Sequence, residues 1–195
     1  DPRPGPSLWG YGYPTAYRDD FGFDEGPRAA PVVTETAVFT FGAEGQLHAV
    51  DVTNGKRLWS EDTMRRFTVP KGFFGAAGSP IVEDGRVIAN IGGTMDGISP
   101  AKTGIVAFDA KTGKVLWTAT NDSASYSSGV TATIGGSRLA IFLTRNALVG
   151  LDPATGAIKF RRNWQARQAA SVNAGTPLVV GELIFVSSEY GPGAA

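Results

Sequence analysis

From residue 30 onward, short apolar runs alternate with turn residues in a fixed order. Ile105-Val106-Ala107-Phe108 is followed by Asp109-Ala110-Lys111-Thr112-Gly113 and then by Lys114-Val115-Leu116-Trp117. Two stretches of strand formers around such a turn predict a hairpin. Asp109 and Thr112 can bond backbone groups inside the turn, and Gly113 can take the positive φ that ends it. Ala107 to Trp117 reads A-F-D-A-K-T-G-K-V-L-W; Ala49 to Trp59 repeats it as A-V-D-V-T-N-G-K-R-L-W, and Gly150 to Phe160 as G-L-D-P-A-T-G-A-I-K-F. The turn positions are therefore Asp51 and Gly55, Asp109 and Gly113, and Asp152 and Gly156. None of the three carboxylates is followed by the alternating Asp/Asn ligands of a calcium loop, so each reads as a turn former. The aromatic at the end of each copy (Trp59, Trp117, Phe160) is large enough to pack between neighbouring repeats, with Phe160 lacking the indole N–H.

A second marker fixes the period. Pro31, Pro80, Gly129 and Pro177 each precede a short apolar run and stand 49, 49 and 48 residues apart. Proline cannot donate to a ladder but is tolerated at the first residue of a strand. Each unit then predicts four strands: one opened by the proline, a second at 37–41, 86–91, 139–143 or 183–186, and the two arms of the hairpin. Four short antiparallel strands repeating every 40 to 50 residues describe a β-propeller blade, so the fold class expected is all-β.

The pattern A-x-D-x-x-T-G-K-x-x-W resembles the tryptophan-docking repeat of the PQQ-like β-propellers, a quinoprotein-like superfamily. It includes pyrroloquinoline quinone-dependent alcohol and sugar dehydrogenases and a BamB-type outer-membrane assembly lipoprotein that binds no quinone. The resemblance covers about residues 30 to 195. It implies that 1–29 holds the end of a preceding blade and a loop, with Trp9 in a docking place. Repeats are expected at 30–63, 79–120 and 127–164, and the start of a further one at 175–195. About four periods are fewer than the seven or eight blades usual in that family, so the chain is expected to belong to a larger ring. Its partners would then include the remaining blades, or a second copy through open blade edges.

Composition narrows the function classes. Lys and Arg total 18 against 18 Asp and Glu, so no overall field recruits nucleic acid or an anionic membrane. No apolar run is long enough for a membrane-spanning helix. There is no cysteine, which excludes disulfides and thiolate metal sites in this chain. His48 is the single histidine and lies in the apolar run Leu47-His48-Ala49-Val50, too isolated for a multi-histidine metal centre. Gly55-Lys56-Arg57 and Gly113-Lys114-Val115 lack the upstream glycine and the hydroxyl of a phosphate loop. Arg161, Arg162, Arg167 and Trp164 form a small basic and aromatic patch, and Asp19, Asp20, Asp24 and Glu25 an acidic one. The acidic set could collect a metal ion or pair with the arginines of its own loop.

Alternating strands place the blade-to-blade connectors (10–29, 60–78, 118–128, 161–175) on one face with the loops 42–46, 92–104 and 144–147. The Asp-x-x-x-Gly hairpins fall on the other face. Loops on a rigid scaffold carry function, so the connector face is the candidate site. The segments nearest the channel contribute Arg28, Lys71, Phe74, Ser79, Asp122, Tyr126, Ser127, Ser171 and Asn173 as candidate ligand residues. Ser127, Ser128, Ser171 and Asn173 are equally suited to satisfying backbone groups in tight turns.

The reading reached is a non-catalytic binding scaffold, exported to the periplasm or cell envelope, that engages a protein, peptide or glycan without a cofactor. The alternative implied by the resemblance is a quinone-dependent alcohol or sugar dehydrogenase holding PQQ with calcium, with Asp24 or Asp122 as base or calcium ligand. The cysteine pair usual beside that cofactor is absent. A third reading is a purely structural repeat segment with no ligand.

Overall fold

The computed structural model describes residues 5–93, 102–165, 172–189 and 191–195. Ser171, Arg167 and most of the 92–104 loop lie outside the described residues. The strands are β1 (Val32–Val33), β2 (Ala37–Phe41), β3 (Gln46–Asp51), β4 (Arg57–Asp62), β5 (Ile81–Glu83), β6 (Arg86–Asn90), β7 (Ile105–Asp109) and β8 (Val115–Ala119). They continue with β9 (Val130–Ile134), β10 (Ser137–Leu143), β11 (Ala147–Leu151), β12 (Ile158–Asn163), β13 (Leu178–Val180), β14 (Leu183–Phe185), β15 (Ser187–Ser188) and β16 (Gly193–Ala194). A single helical turn, α1 (Thr63–Phe67), follows β4.

These strands build three four-stranded antiparallel blades, β1 to β4, β5 to β8 and β9 to β12, each in sequential order, followed by the pairs β13–β14 and β15–β16. The last two pairs are parts of one further blade. Val186 exchanges both backbone hydrogen bonds with Ala195, at 2.9 and 3.0 Å, so the second strand runs on from β14 into β15. Pro31, Pro80, Gly129 and Pro177 each fall at or next to the start of a first strand, where the missing N–H of proline costs no ladder bond.

The hairpin joining third and fourth strands has one construction in all three blades. Asp51 Oδ1 accepts from Thr53 N at 2.8 Å and from its hydroxyl at 2.6 Å. Asp109 Oδ1 does the same for Thr112, both at 2.8 Å, and Asp152 Oδ1 accepts from Ala154 N at 2.8 Å. Beside each turn the fourth strand carries a bulge, opposite Ala49 and Val50, Ala107 and Phe108, and Gly150 and Leu151. An extra residue at the same place in each blade adds the same local twist to each.

Blades bury both faces, which is why their middle strands are apolar on both sides of the pleat. Val87 and Ala89 of β6 face the first blade, where they join Phe39, Phe41, Leu47, Val106 and Phe108, whereas Ile88 faces the third with Ile105, Phe142, Val149 and Leu151. A third cluster links Leu139, Ile141, Leu143 and Leu148 to Trp164 and Val186. On the far side of β13 and β14, Leu178, Val180, Leu183 and Phe185 are exposed.

Two sets of contacts join the blades at opposite ends of the sheets. At the hairpin end, the Trp9 indole donates to Val52 O (2.9 Å), Trp59 to Ala110 O (2.9 Å) and Trp117 to Pro153 O (3.1 Å). Their rings lie against Gly55, Gly113 and Gly156, where an added Cβ would come within 2.6, 2.8 and 2.6 Å of the indole. These glycines also have φ of 72°, 71° and 73°, so turn and contact both demand the absence of a side chain. Phe160 differs: its ring stands over Gly150 of its own blade and packs on the cluster behind it. At the connector end, Ala30 N donates to Ser79 Oγ (2.9 Å), Ser79 N to Ser128 Oγ (3.0 Å) and Ser127 Oγ to Gly175 O (2.9 Å).

Candidate ligand cleft on the connector face

The loop before β1 is organised by one carboxylate. Asp19 Oδ1 accepts from Phe21 N at 2.9 Å. Its Oδ2 accepts from Phe23 N and Asp24 N, both at 3.2 Å, and from Arg28 Nη2 at 2.9 Å. The other members of the acidic set are paired too: Asp20 with Lys71 (2.8 Å), Glu25 with Arg18 (2.6 Å), and Asp24 Oδ1 with the Gly26 N–H (2.8 Å). The cluster pairs with its own loop and neighbouring connector, and among the described residues no group of three or more acidic or histidine side chains is placed to share a cation.

The hydrogen bond from Phe21 N, ahead of the other donors, holds the Asp19 carboxyl below its ordinary value. A depressed carboxyl contributes stability that is full above the unfolded value, near pH 4, and is lost as pH falls through the lower folded one. Acidification into that range is therefore expected to loosen residues 19–28, seen as faster amide exchange there. Asp19→Asn, which keeps the shape and removes the charge, should loosen the loop already at neutral pH.

Behind this loop, the connector from the first to the second blade begins with α1. Asp62 caps it by accepting from Arg65 N at 3.0 Å, and Thr68 closes it at φ 55° with Val69 N returning to Met64 O at 2.9 Å. The turn delivers Lys71, Phe73 and Phe74 to the connector face. The next connector brings Tyr126, whose hydroxyl accepts from Phe74 N at 3.0 Å. The loop after β10 brings Arg145, with its guanidinium 5.3 Å from the centre of the Phe73 ring.

Together these segments enclose a cleft of about 600 Å³. Val69, Ala76 and Ile91 supply apolar lining, Phe21, Phe73 and Tyr126 aromatic lining, and Arg145 and Asn146 polar groups. Phe74 supports the wall from behind, 5.2 Å from Phe21 and 5.4 Å from Tyr126 between ring centres. Burial pushes the Tyr126 phenol up, so it stays a neutral hydrogen-bonding group. Phe21 and Phe73 are 54% and 37% exposed, leaving ring surface open towards the cleft and solvent.

The sequence-derived candidates divide into two groups. Lys71 and Tyr126 line the cleft, and Phe74 backs it. Lys71 Nζ is tied to Asp20 and stands 5.0 Å over Tyr17. Arg28 reaches the wall only indirectly, over Tyr17 and Phe74 at 5.4 and 5.9 Å, because its charge is engaged by Asp19. Ser79, Asp122, Ser127 and Asn173 do not line the cleft. Ser79 and Ser127 join successive connectors, and Ser127 and Asn173 are each 2% exposed.

Asn173 Nδ2 donates to Thr144 O (2.7 Å) and Trp164 O (3.1 Å), while Oδ1 accepts from Ser188 Oγ (2.6 Å). Asp122 is buried with its oxygens on Arg161 (2.8 Å) and Thr144 (3.0 Å), which also removes Arg161 from the basic patch. Trp164 is buried and donates to Ser188 Oγ at 3.0 Å. Arg145 and Asn146 are not among the residues the sequence points to, although strand alternation puts the loop 144–147 on this face. An arginine and an amide at the tip of an otherwise apolar hairpin were the available signal.

Among the described residues, no helix is long and apolar enough to cross a membrane. The fold is shared with BamB from Moraxella catarrhalis, at a TM-score of 0.58 and 18% identity, covering 94% of this chain and 47% of that one. The computationally designed Ika4 protein superposes at a TM-score of 0.55 and 14% identity, covering 98% of this chain and 96% of that one. The quinohemoprotein alcohol dehydrogenase ADH-IIG of Pseudomonas putida is 35% identical over 78 residues, 38% of this chain and 10% of the enzyme. This chain thus spans about a tenth of that enzyme and about half of BamB. The family profile described as outer membrane protein assembly factor BamB matches residues 1–194, and the chain belongs to that family of PQQ-like repeat β-propellers.

Proposed function

We propose that the chain is a non-catalytic binding module of the cell envelope, whose connector face engages an extended protein or peptide segment. The cleft carries this reading: an apolar floor, three aromatic rings and an arginine suit alternating apolar side chains with polar backbone between them. The indoles of Trp9, Trp59 and Trp117 serve as docking residues that hold neighbouring blades together at the hairpin end, while further blades or a second copy cover the exposed side of β13 and β14. Support for the envelope setting comes from the family's own description as an outer membrane protein assembly factor.

An array of overlapping peptides from outer membrane proteins, probed with the purified chain, tests this. Tyr126→Ala and Phe73→Ala are each expected to weaken the strongest peptides about tenfold, the loss of one desolvated aromatic contact. Arg28→Ala should act more weakly, through the wall. Unchanged binding in both aromatic variants would remove the cleft from the interface.

The dehydrogenase reading is favoured by the identity to ADH-IIG over part of the chain. Among the described residues, the candidate carboxylates of this face weigh against a calcium-held quinone. There is no cysteine, Asp122 is held by Arg161 and Thr144, and the Asp24 carboxylate closes its own turn. Titration of PQQ with calcium, followed by the absorbance of bound quinone, separates the two readings. Saturable calcium-dependent binding together with dye-linked alcohol oxidation would establish the dehydrogenase.

A further inference from the structure

The segment from Trp9 to Tyr17 lies along the outer face of the first blade as a strap fastened at several points. Trp9 sits on Gly55. Tyr13 presses its hydroxyl against Gly42, where an added Cβ would lie 2.1 Å away. The Glu44 carboxylate accepts from Thr15 Oγ1 at 2.7 Å and from Ala16 N at 2.9 Å. Between these points stands His48, 3% exposed, with the Tyr11 hydroxyl 2.9 Å from Nδ1 and the Tyr13 ring centre 4.2 Å from its own. Nε2 is buried without a hydrogen-bond partner among the described residues.

The groups around this imidazole are Tyr11 and Tyr13 from the strap, Thr40 from β2, and Ser60 with Arg57 from β4. Arg57 is the one full charge among them, and it repels a cation. Glu44 acts on Tyr13 from beyond. A neutral ring suits this site better than an imidazolium, whose charge would be buried and would face a guanidinium. The strap continues through Tyr17 into the loop that carries Asp20 and Phe21 to the cleft.

We propose that His48 latches the strap only as the neutral imidazole, so that acidification frees residues 9–17 and with them the Phe21 wall of the cleft. The latch stands on the strap geometry; its effect on a ligand rests on the reading of the cleft given above. Burial, with Arg57 second, depresses the affinity of His48 for a proton, in the direction the latch requires. A depressed histidine gives stability that is full above its unfolded value, near 6.5, and declines as pH falls towards the folded one.

The test is amide exchange of residues 9–17, corrected for intrinsic rate, between about pH 4.5 and 7.5, a range around the ordinary imidazole value. In the natural chain, opening should increase as pH falls below 6.5, approaching at most about tenfold per pH unit. His48→Gln should abolish that slope. An unchanged slope in His48→Gln, or flat protection in the natural chain, overturns the latch. The single histidine also gives one Cε1–H resonance in proton NMR, which reads the latch without any substitution. A midpoint below 6.5 is expected; one at or above it overturns the proposal. Loss of peptide binding at neutral pH in cleft variants with normal strap exchange concerns the cleft alone.

Discussion

Trp59→Ala is expected to lower the stability of the chain by about 3 kcal/mol, the lower end of the range for a tryptophan removed from a core, because one edge of the ring stays open to solvent. The substitution removes the ring from Gly113 of the next blade, takes away its packing on Phe39 at 6.0 Å, and leaves Ala110 O without its indole donor. Trp59→Phe separates these effects. It keeps a smaller apolar ring and loses the hydrogen bond with part of the packing, for about 1–2 kcal/mol. Urea unfolding of the two variants checks both figures. A loss under 1 kcal/mol for Trp59→Ala would mean that the first two blades are held by the Phe39 and Phe108 cluster without help from the indole. Equal losses in the two variants would assign the contact to the hydrogen bond.

Asn173→Ala is expected to cost about 3 kcal/mol, with its effect concentrated at the junction of the third and fourth repeats. Three hydrogen bonds disappear, and the Thr144 and Trp164 carbonyls lose a buried donor. Asn173→Asp should be no milder, since a carboxylate cannot donate to either carbonyl and adds a buried charge. Amide exchange localises the damage: residues 178–188 should lose protection while 105–119 keep it. If Asn173 instead served a ligand from the connector face, alanine there would weaken binding and leave that exchange pattern unchanged.

The period and strand order were legible because they rest on local chemistry. Pro31, Pro80 and Pro177 mark first strands through a missing donor, and an Asp-x-x-x-Gly turn between two apolar runs encodes a hairpin within a dozen residues. Which face each loop occupies followed from strand alternation. What a side chain does on that face did not, because it depends on neighbours one period away. Asn173 and Tyr126 look alike in sequence, as polar or aromatic residues ahead of a first strand. One is enclosed by Thr144, Trp164 and Ser188, and the other opens into the cleft. Asp122 reads as a base in sequence, but Arg161, 39 residues on, stands beside it and holds its carboxylate. Phe160 occupies the place of the tryptophans in the motif, yet turns onto Gly150.

The serine contacts between connectors recur at separations of 49, 49 and 48 residues, and each involves only one blade and its neighbour. The angle between adjacent blades is thus written into every copy of the repeat separately. A gene segment of one period carries both halves of the joint, a donor for one side and an acceptor for the other. Duplicating or deleting such a segment would lengthen or shorten the array without spoiling any surviving joint, and the stability of the array would change by roughly one repeat and one interface at a time. Ring size in such a lineage becomes a matter of copy number, open to change by recombination between repeats rather than by redesign of the blade.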